Sequence, residues 1–129
     1  DIEEDGLKSY AAANGIGIIA FCPLAQGLLT DKYLHGIPED SRIRTDGRFL
    51  KENAINEETL AKISALNEIA AGRGQSLAQM ALSWDLRDGE VTSVLIGASK
   101  PSQITENCRI VNAAPFTAEE LARIENILV

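Results

Sequence analysis

With 129 residues, 45% of them hydrophobic and 24% charged, the chain can bury an ordinary core and has no low-complexity tract, so one globular unit is expected. A formal net charge of −7 repels phosphate at long range, which argues against nucleic acid or an anionic membrane surface as a general partner. No signal-peptide core and no apolar run of membrane length interrupts the sequence, and the two cysteines, Cys22 and Cys108, have no metal spacing. The expectation is a cytoplasmic protein with reduced thiols, no membrane insertion and no metal site. Because the chain opens at Asp1 within what reads as a helix, its natural beginning is expected upstream.

Leu7, Tyr10 and Ala11 recur at helical spacing and Asn14-Gly15 supplies a left-handed terminator, which predicts a helix over roughly the first fourteen residues with those three facing inward. Ile16 to Phe21 (IGIIAF) is apolar on both faces apart from Gly17, as suits a strand covered on both sides in a parallel sheet. A long loop punctuated by Gly27, Gly36, Pro38 and Gly47 follows, and loops of this length are usually functional or mobile. Asn56 then caps a helix with Glu57 and Glu58 in its first turn and Leu60, Ile63, Leu66 and Ala70 as its buried stripe; Gly72-Arg73-Gly74 ends it.

Ser76 to Gln79 has the capping-box arrangement, and Leu77, Met80, Ala81 and Trp84 mark one apolar face of the next helix. Asp88-Gly89 reads as a turn before a second β-branched run, Val91 to Ile96. A helix after Ser99 is predicted to carry Ile104, Cys108 and Val111 inward, and Thr117 to Glu120 is a capping box opening a last helix with Leu121, Ile124 and Leu128. This order is that of an α/β protein with parallel strands. A two-stranded parallel sheet leaves two unpaired edges, so the residues are expected to be the tail of a longer barrel or sheet.

Ligands of such folds lie in the loops beyond the carboxyl ends of the strands, and both strand-like runs here end in loops suited to phosphate. In the second, Ser99, Lys100 and Pro101 open a helix directly after Ile96-Gly97-Ala98, combining a cap hydroxyl, a cation and a glycine that admits close approach. A plain helix cap is the alternative. Gln103, Glu106 and Asn107 follow one turn apart on one side, where they could hydrogen-bond a purine or ribose or simply face solvent. After the first strand, Pro23 to Gly27 turns sharply, and Lys32 and Arg42 can reach a pyrophosphate from the long loop or serve as surface charge. His35, the only histidine, has no nucleophile or carboxylate at suitable spacing, and Tyr10 and Tyr33 fit packing roles.

Together PLAQGLLTDKY, GIPEDSR, RGQSLAQMALSW and VLIGASKPSQITEN resemble the C-terminal part of an aldo-keto reductase, of the kind that includes bacterial glyceraldehyde 3-phosphate reductases and potassium-channel β-subunits. The resemblance spans essentially all of the chain. It implies a (β/α)8 TIM barrel of which residues 1–129 supply the last two strands with their helices, requiring the upstream half. It further implies NADP(H) as cofactor and reduction of a small aldehyde or ketone to an alcohol, with homo-oligomerisation left open. The alternative within the family is an NADP-binding regulatory or scaffold subunit.

By the same resemblance, Phe21, Cys22, Pro23, Leu24, Ala25 and Gln26 would line the nicotinamide and pyrophosphate. Lys32 and Arg42 would fold over the cofactor, and Gly97, Ser99, Gln103, Glu106 and Asn107 would hold the 2′-phosphate and adenine. The family's Asp, Tyr, Lys and His tetrad belongs to earlier strands, so no residue here is expected to be catalytic. Three positions depart from the family's usual pattern: Cys22 for Ser, Asp31 for Gly and Gln103 for Arg.

Overall fold

The computed structural model describes residue 2, residues 4–30 and residues 56–129. Among these the chain order is α1 (Leu7–Ala13), β1 (Ile19–Phe21), a 3₁₀ turn (Ala25–Gly27), α2 (Glu57–Gly72), α3 (Leu77–Asp85), β2 (Ser93–Leu95), α4 (Pro101–Cys108), a second 3₁₀ turn (Arg109–Asn112) and α5 (Ala118–Leu128). β1 and β2 pair in parallel, with Ile19 opposite Ser93, Ala20 opposite Val94 and Phe21 opposite Leu95. The α/β class with parallel strands is as the sequence predicts.

Local chemistry sets the helix starts. The Asn56 side chain accepts from the Thr59 amide at 2.7 Å to open α2. Ser76 and Gln79 exchange hydrogen bonds at 3.2 and 3.0 Å before α3, and Thr117 and Glu120 do so at 3.1 and 2.8 Å before α5. Each box satisfies two amides that the first helical turn would otherwise leave without a partner.

Helix packing, rather than the sheet, makes the main core. Ile63, Leu66, Ile69 and Ala70 of α2 meet Leu77 and Met80 of α3 and Ile124 of α5, all buried, with Leu28, Leu29, Trp84 and Phe116 packed around them. Leu28 and Leu29 follow the turn after β1, so that turn is anchored by two side chains in the helical core. The Arg87 guanidinium lies 3.6 Å from the Trp84 ring centroid, while the Trp84 indole N–H is buried without a hydrogen-bond partner among the described residues.

Three sequence expectations are corrected. The first helix starts at Leu7 after Gly6 at φ 75°, and it turns Lys8 and Ala11 inward while Leu7 and Tyr10 stay exposed. The cause is an ion pair: the buried Lys8 ammonium meets Asp88 at 2.5 Å and Glu90 at 3.6 Å. Both strands are three residues long, shorter than the runs predicted, and the described residues leave one face open at Ile19, Phe21 and Leu95. Before β1, Gly17 lets Thr92 approach until an added Cβ would stand 3.1 Å from its Oγ1, which accepts the Ile18 amide in place of a ladder carbonyl.

The third correction concerns α4. Ile104, Cys108 and Val111 are exposed, and Asn107 is the buried residue of the helix. The helix ends at Cys108 and tightens into a 3₁₀ turn, so Val111 leaves the i, i+4, i+7 line, while within the helix Asn107 takes the buried position in place of Ile104 and Cys108. Its backbone is instead tied to α3, with the Gln79 amide donating to the Glu106 carbonyl at 2.8 Å.

The C-terminal segment is latched by Arg73, whose side chain is 6% exposed. Nε donates to Gln75 Oε1 at 2.9 Å, Nη1 to Glu120 Oε2 and Nη2 to the Ala114 carbonyl at 2.6 Å, and the guanidinium lies 3.9 Å from the Phe116 ring centroid. The Thr117 amide, followed by the Arg73 charge, holds the Glu120 carboxyl below its ordinary value of 4.5. A carboxylate whose folded pKa is depressed adds stability above the unfolded pKa and loses it as pH falls through the folded one. Glu120→Gln is therefore expected to lower the melting temperature at pH 7, with the gap to the wild-type protein closing as pH falls below about 4, measured by thermal melts across pH. Asp88→Ala, which leaves the Lys8 ammonium with Glu90 at longer range, should cost roughly 2 kcal/mol in denaturant unfolding.

Candidate functional site

Parallel neighbours in register leave the sheet at the same edge. Phe21 is opposite Leu95, so Cys22 and Ile96 emerge side by side, about 4.8 Å apart by strand spacing, and the two post-strand turns open next to each other.

The first turn holds an unusual backbone. Cys22, Ala25 and Gln26 have φ of 55°, 45° and 59°, and Gly27 has φ 98°. L residues carry a steric cost in the left-handed region, roughly 1 kcal/mol each, and persist there only when their surroundings fix them. Four backbone hydrogen bonds do so: Ala25 to the Cys22 carbonyl at 3.0 Å, Gly27 and Leu29 to the Leu24 carbonyl at 2.8 and 3.2 Å, and Leu28 to the Ala25 carbonyl at 3.2 Å. Thr30 Oγ1 closes the turn on the Gly27 carbonyl at 2.6 Å, and Leu28 and Leu29 pin it to the core. Phe21, the last strand residue, is 78% exposed and Cys22 is exposed beside it, while Pro23 and Leu24 are half-buried and Ala25 and Gln26 exposed. The turn thus presents an apolar ring and a thiol at the sheet edge.

The second turn is organised by Gln103. Its Oε1 accepts from the Ser99 amide at 2.8 Å, the Lys100 amide at 3.1 Å and the Ser99 hydroxyl at 3.3 Å. One side-chain oxygen therefore gathers three donors at the start of α4. Lys100, not Ser99, is the N-cap residue, and its ammonium has no acceptor to offer, so Gln103 satisfies the segment from one side only. Gly97 and Ser99 are exposed in the loop, Gln103 and Glu106 are exposed on α4, and Asn107 is 7% exposed. Gln103, Glu106 and Asn107 thus do not share one environment: the first folds back toward the loop and the last is buried. Lys32, His35, Tyr33 and Arg42 lie outside the described residues.

Cys22, Ala25 and Gln26 gave no sequence signal of a left-handed backbone, since none is glycine, whereas the Gln103 fold-back could have been read from a Gln standing three residues after the cap. Among the described residues no group of acidic, histidine or cysteine side chains could hold a metal ion, and no helix is long and apolar enough to cross a membrane. The chemistry on offer is hydrogen-bond donation to an oxygen acceptor at one turn and an exposed ring at the other. Gln103→Ala should release the Ser99 and Lys100 amides. Their hydrogen exchange is expected to speed up roughly fivefold, the equivalent of a lost cap of about 1 kcal/mol; unchanged rates would show that Gln103 does not hold them.

Comparison with known proteins gives this arrangement its context. The description of the Aldo/keto reductase family matches residues 1–129. The chain is 52% identical over 127 residues to an L-glyceraldehyde 3-phosphate reductase of Escherichia coli O157:H7, covering 96% of this chain and 37% of that protein. It is 37% identical over 130 residues to a probable voltage-gated potassium channel subunit beta of Oryza sativa subsp. japonica, covering 98% of this chain and 39% of that one. Among solved structures, a glycerol dehydrogenase from Gluconobacter oxydans superposes with a TM-score of 0.75 at 32% identity, over 98% of this chain and 38% of that chain. The chain thus spans well under half the length of these relatives, yet along nearly all of its own length sequence and fold agree, and it belongs to the aldo/keto reductase family.

Proposed function

We propose that these residues form the cofactor-binding part of an NADP(H)-dependent aldo-keto reductase barrel that reduces aldehydes or ketones to alcohols in the cytoplasm. The observation that carries this reading is the pair of adjacent turns at one sheet edge, one of them a cluster of donors already gathered on a single oxygen, Gln103 Oε1. Donors so arranged suit an anionic oxygen of a phosphate. Phe21, exposed at the neighbouring strand end, offers a flat apolar surface to a ring. Residues and cofactor fit on these grounds.

A bound nicotinamide supplies hydride to a carbonyl carbon. In this reading Phe21, Cys22, Pro23, Leu24, Ala25 and Gln26 place the ring and pyrophosphate, with the strained turn giving them a fixed shape before binding. Gly97, Ser99, Gln103, Glu106 and Asn107 hold the adenosine end, Gln103 turning from its internal partners toward the ligand. Lys32 and Arg42 add cations from the long loop. The proton for the alcohol comes from the family's tetrad in the upstream half of the barrel, so this chain positions and does not itself protonate. Ile19 and Leu95, exposed beside Phe21, would be covered by the rest of the barrel.

Identity of 37% with a potassium-channel β-subunit supports a second reading, an NADP-binding regulatory or scaffold subunit. Turnover separates the two. In a complete barrel carrying these residues, NADPH is expected to bind in isothermal titration and to be oxidised by small aldehydes such as glyceraldehyde. Binding without oxidation would favour the scaffold, and absence of binding would contradict both.

A further inference from the structure

A second polar recess lies away from the strand-end turns, where the α2–α3 connection meets the segment after α4. It has a volume of about 250 Å³ and is lined by Arg73, Gly74, Gln75, Gln79, Arg109 and Asn112 among others. Its acceptors are largely engaged. Glu120 Oε2, the Ala114 carbonyl and Gln75 Oε1 take the three hydrogen bonds of Arg73, and Gln79 Oε1 accepts from the Ser76 amide.

Its donors are not. A guanidinium carries five N–H groups, so Arg73, with three hydrogen bonds made, retains two that the described residues do not use. Arg109 is exposed and makes no side-chain hydrogen bond or ion pair with the described residues, leaving its whole donor fork open beside the recess. Charge runs the same way. Glu120 neutralises Arg73, and Arg109 remains as a local positive charge on a chain whose net charge is −7.

We propose that this recess is a site for a small oxyanion, a phosphate or carboxylate group gripped by Arg109 and oriented by Arg73 and Asn112. Planar forks match such groups with two parallel hydrogen bonds, and a buried, already oriented guanidinium such as Arg73 donates without losing further side-chain freedom. Position at the C-cap of α4 gives Arg109 a second reason to be cationic, since it favours the helix dipole. Lysine would serve the dipole equally well but could not form the fork. The site is independent of the cofactor reading, because no residue of the two strand-end turns lines it.

The test is a titration of ¹⁵N-labelled protein with inorganic phosphate, and separately with malonate, at constant ionic strength. Saturable shifts are expected at the Gly74 amide and at the Arg73 and Arg109 Nε–H signals. Arg109→Gln should weaken the affinity about tenfold and Arg109→Lys by less, with shifts at the Ser99 and Lys100 amides unchanged by either substitution. Since Arg109 supports no other side chain, both variants should fold, and their unperturbed amide spectra would show it. Shifts that rise linearly without saturation for both probes, or affinity equal in wild type and Arg109→Gln, would overturn the proposal.

Discussion

Parallel pairing of β1 with β2 is the constraint on which the rest depends. Three residues on each side set the register, and that register brings two turns, far apart in sequence, to one edge of the sheet. Had the pairing been antiparallel, the turns after the two strands would open at opposite ends. Helices alone could not bring them together, because the main core joins α2, α3 and α5 and reaches the first turn through Leu28 and Leu29.

Those two leucines link stability to shape. The turn after β1 carries three non-glycine residues in left-handed conformations, an arrangement that would relax in a free loop. Burial of Leu28 and Leu29, together with the hydrogen bonds to the Cys22, Leu24 and Ala25 carbonyls, offsets that cost and keeps the turn in one form. The second turn reaches a similar state by another route. A single amide side chain, Gln103, satisfies the loop's donors internally, so they stay gathered in place of fraying into solvent. The first turn is thus fixed by its own backbone bonds and core contacts, and the second by Gln103.

Much of this was legible in the sequence. Asn56, Ser76 and Thr117 act as caps because their side-chain oxygens reach amides three residues on, a local interaction that needs no tertiary knowledge. The parallel strands and their order followed from short β-branched runs separated by helical periods. Where the reading failed, a non-local partner had decided the outcome. Tyr10 and Lys8 exchanged roles because Asp88 and Glu90 draw the ammonium inward, and the α4 stripe failed because the helix tightens at Cys108 and Asn107 takes the buried position. Arg73 gave no signal as a latch, since its partners Ala114, Phe116 and Glu120 lie some forty residues on.

Hydrogen–deuterium exchange with and without NADPH, on a complete barrel containing these residues, tests the shared-site claim most directly. The account predicts simultaneous protection of the segment Cys22 to Gly27 and of the Ser99 and Lys100 amides, saturating at a single concentration. Protection confined to one turn, or saturating at two different concentrations, would contradict it.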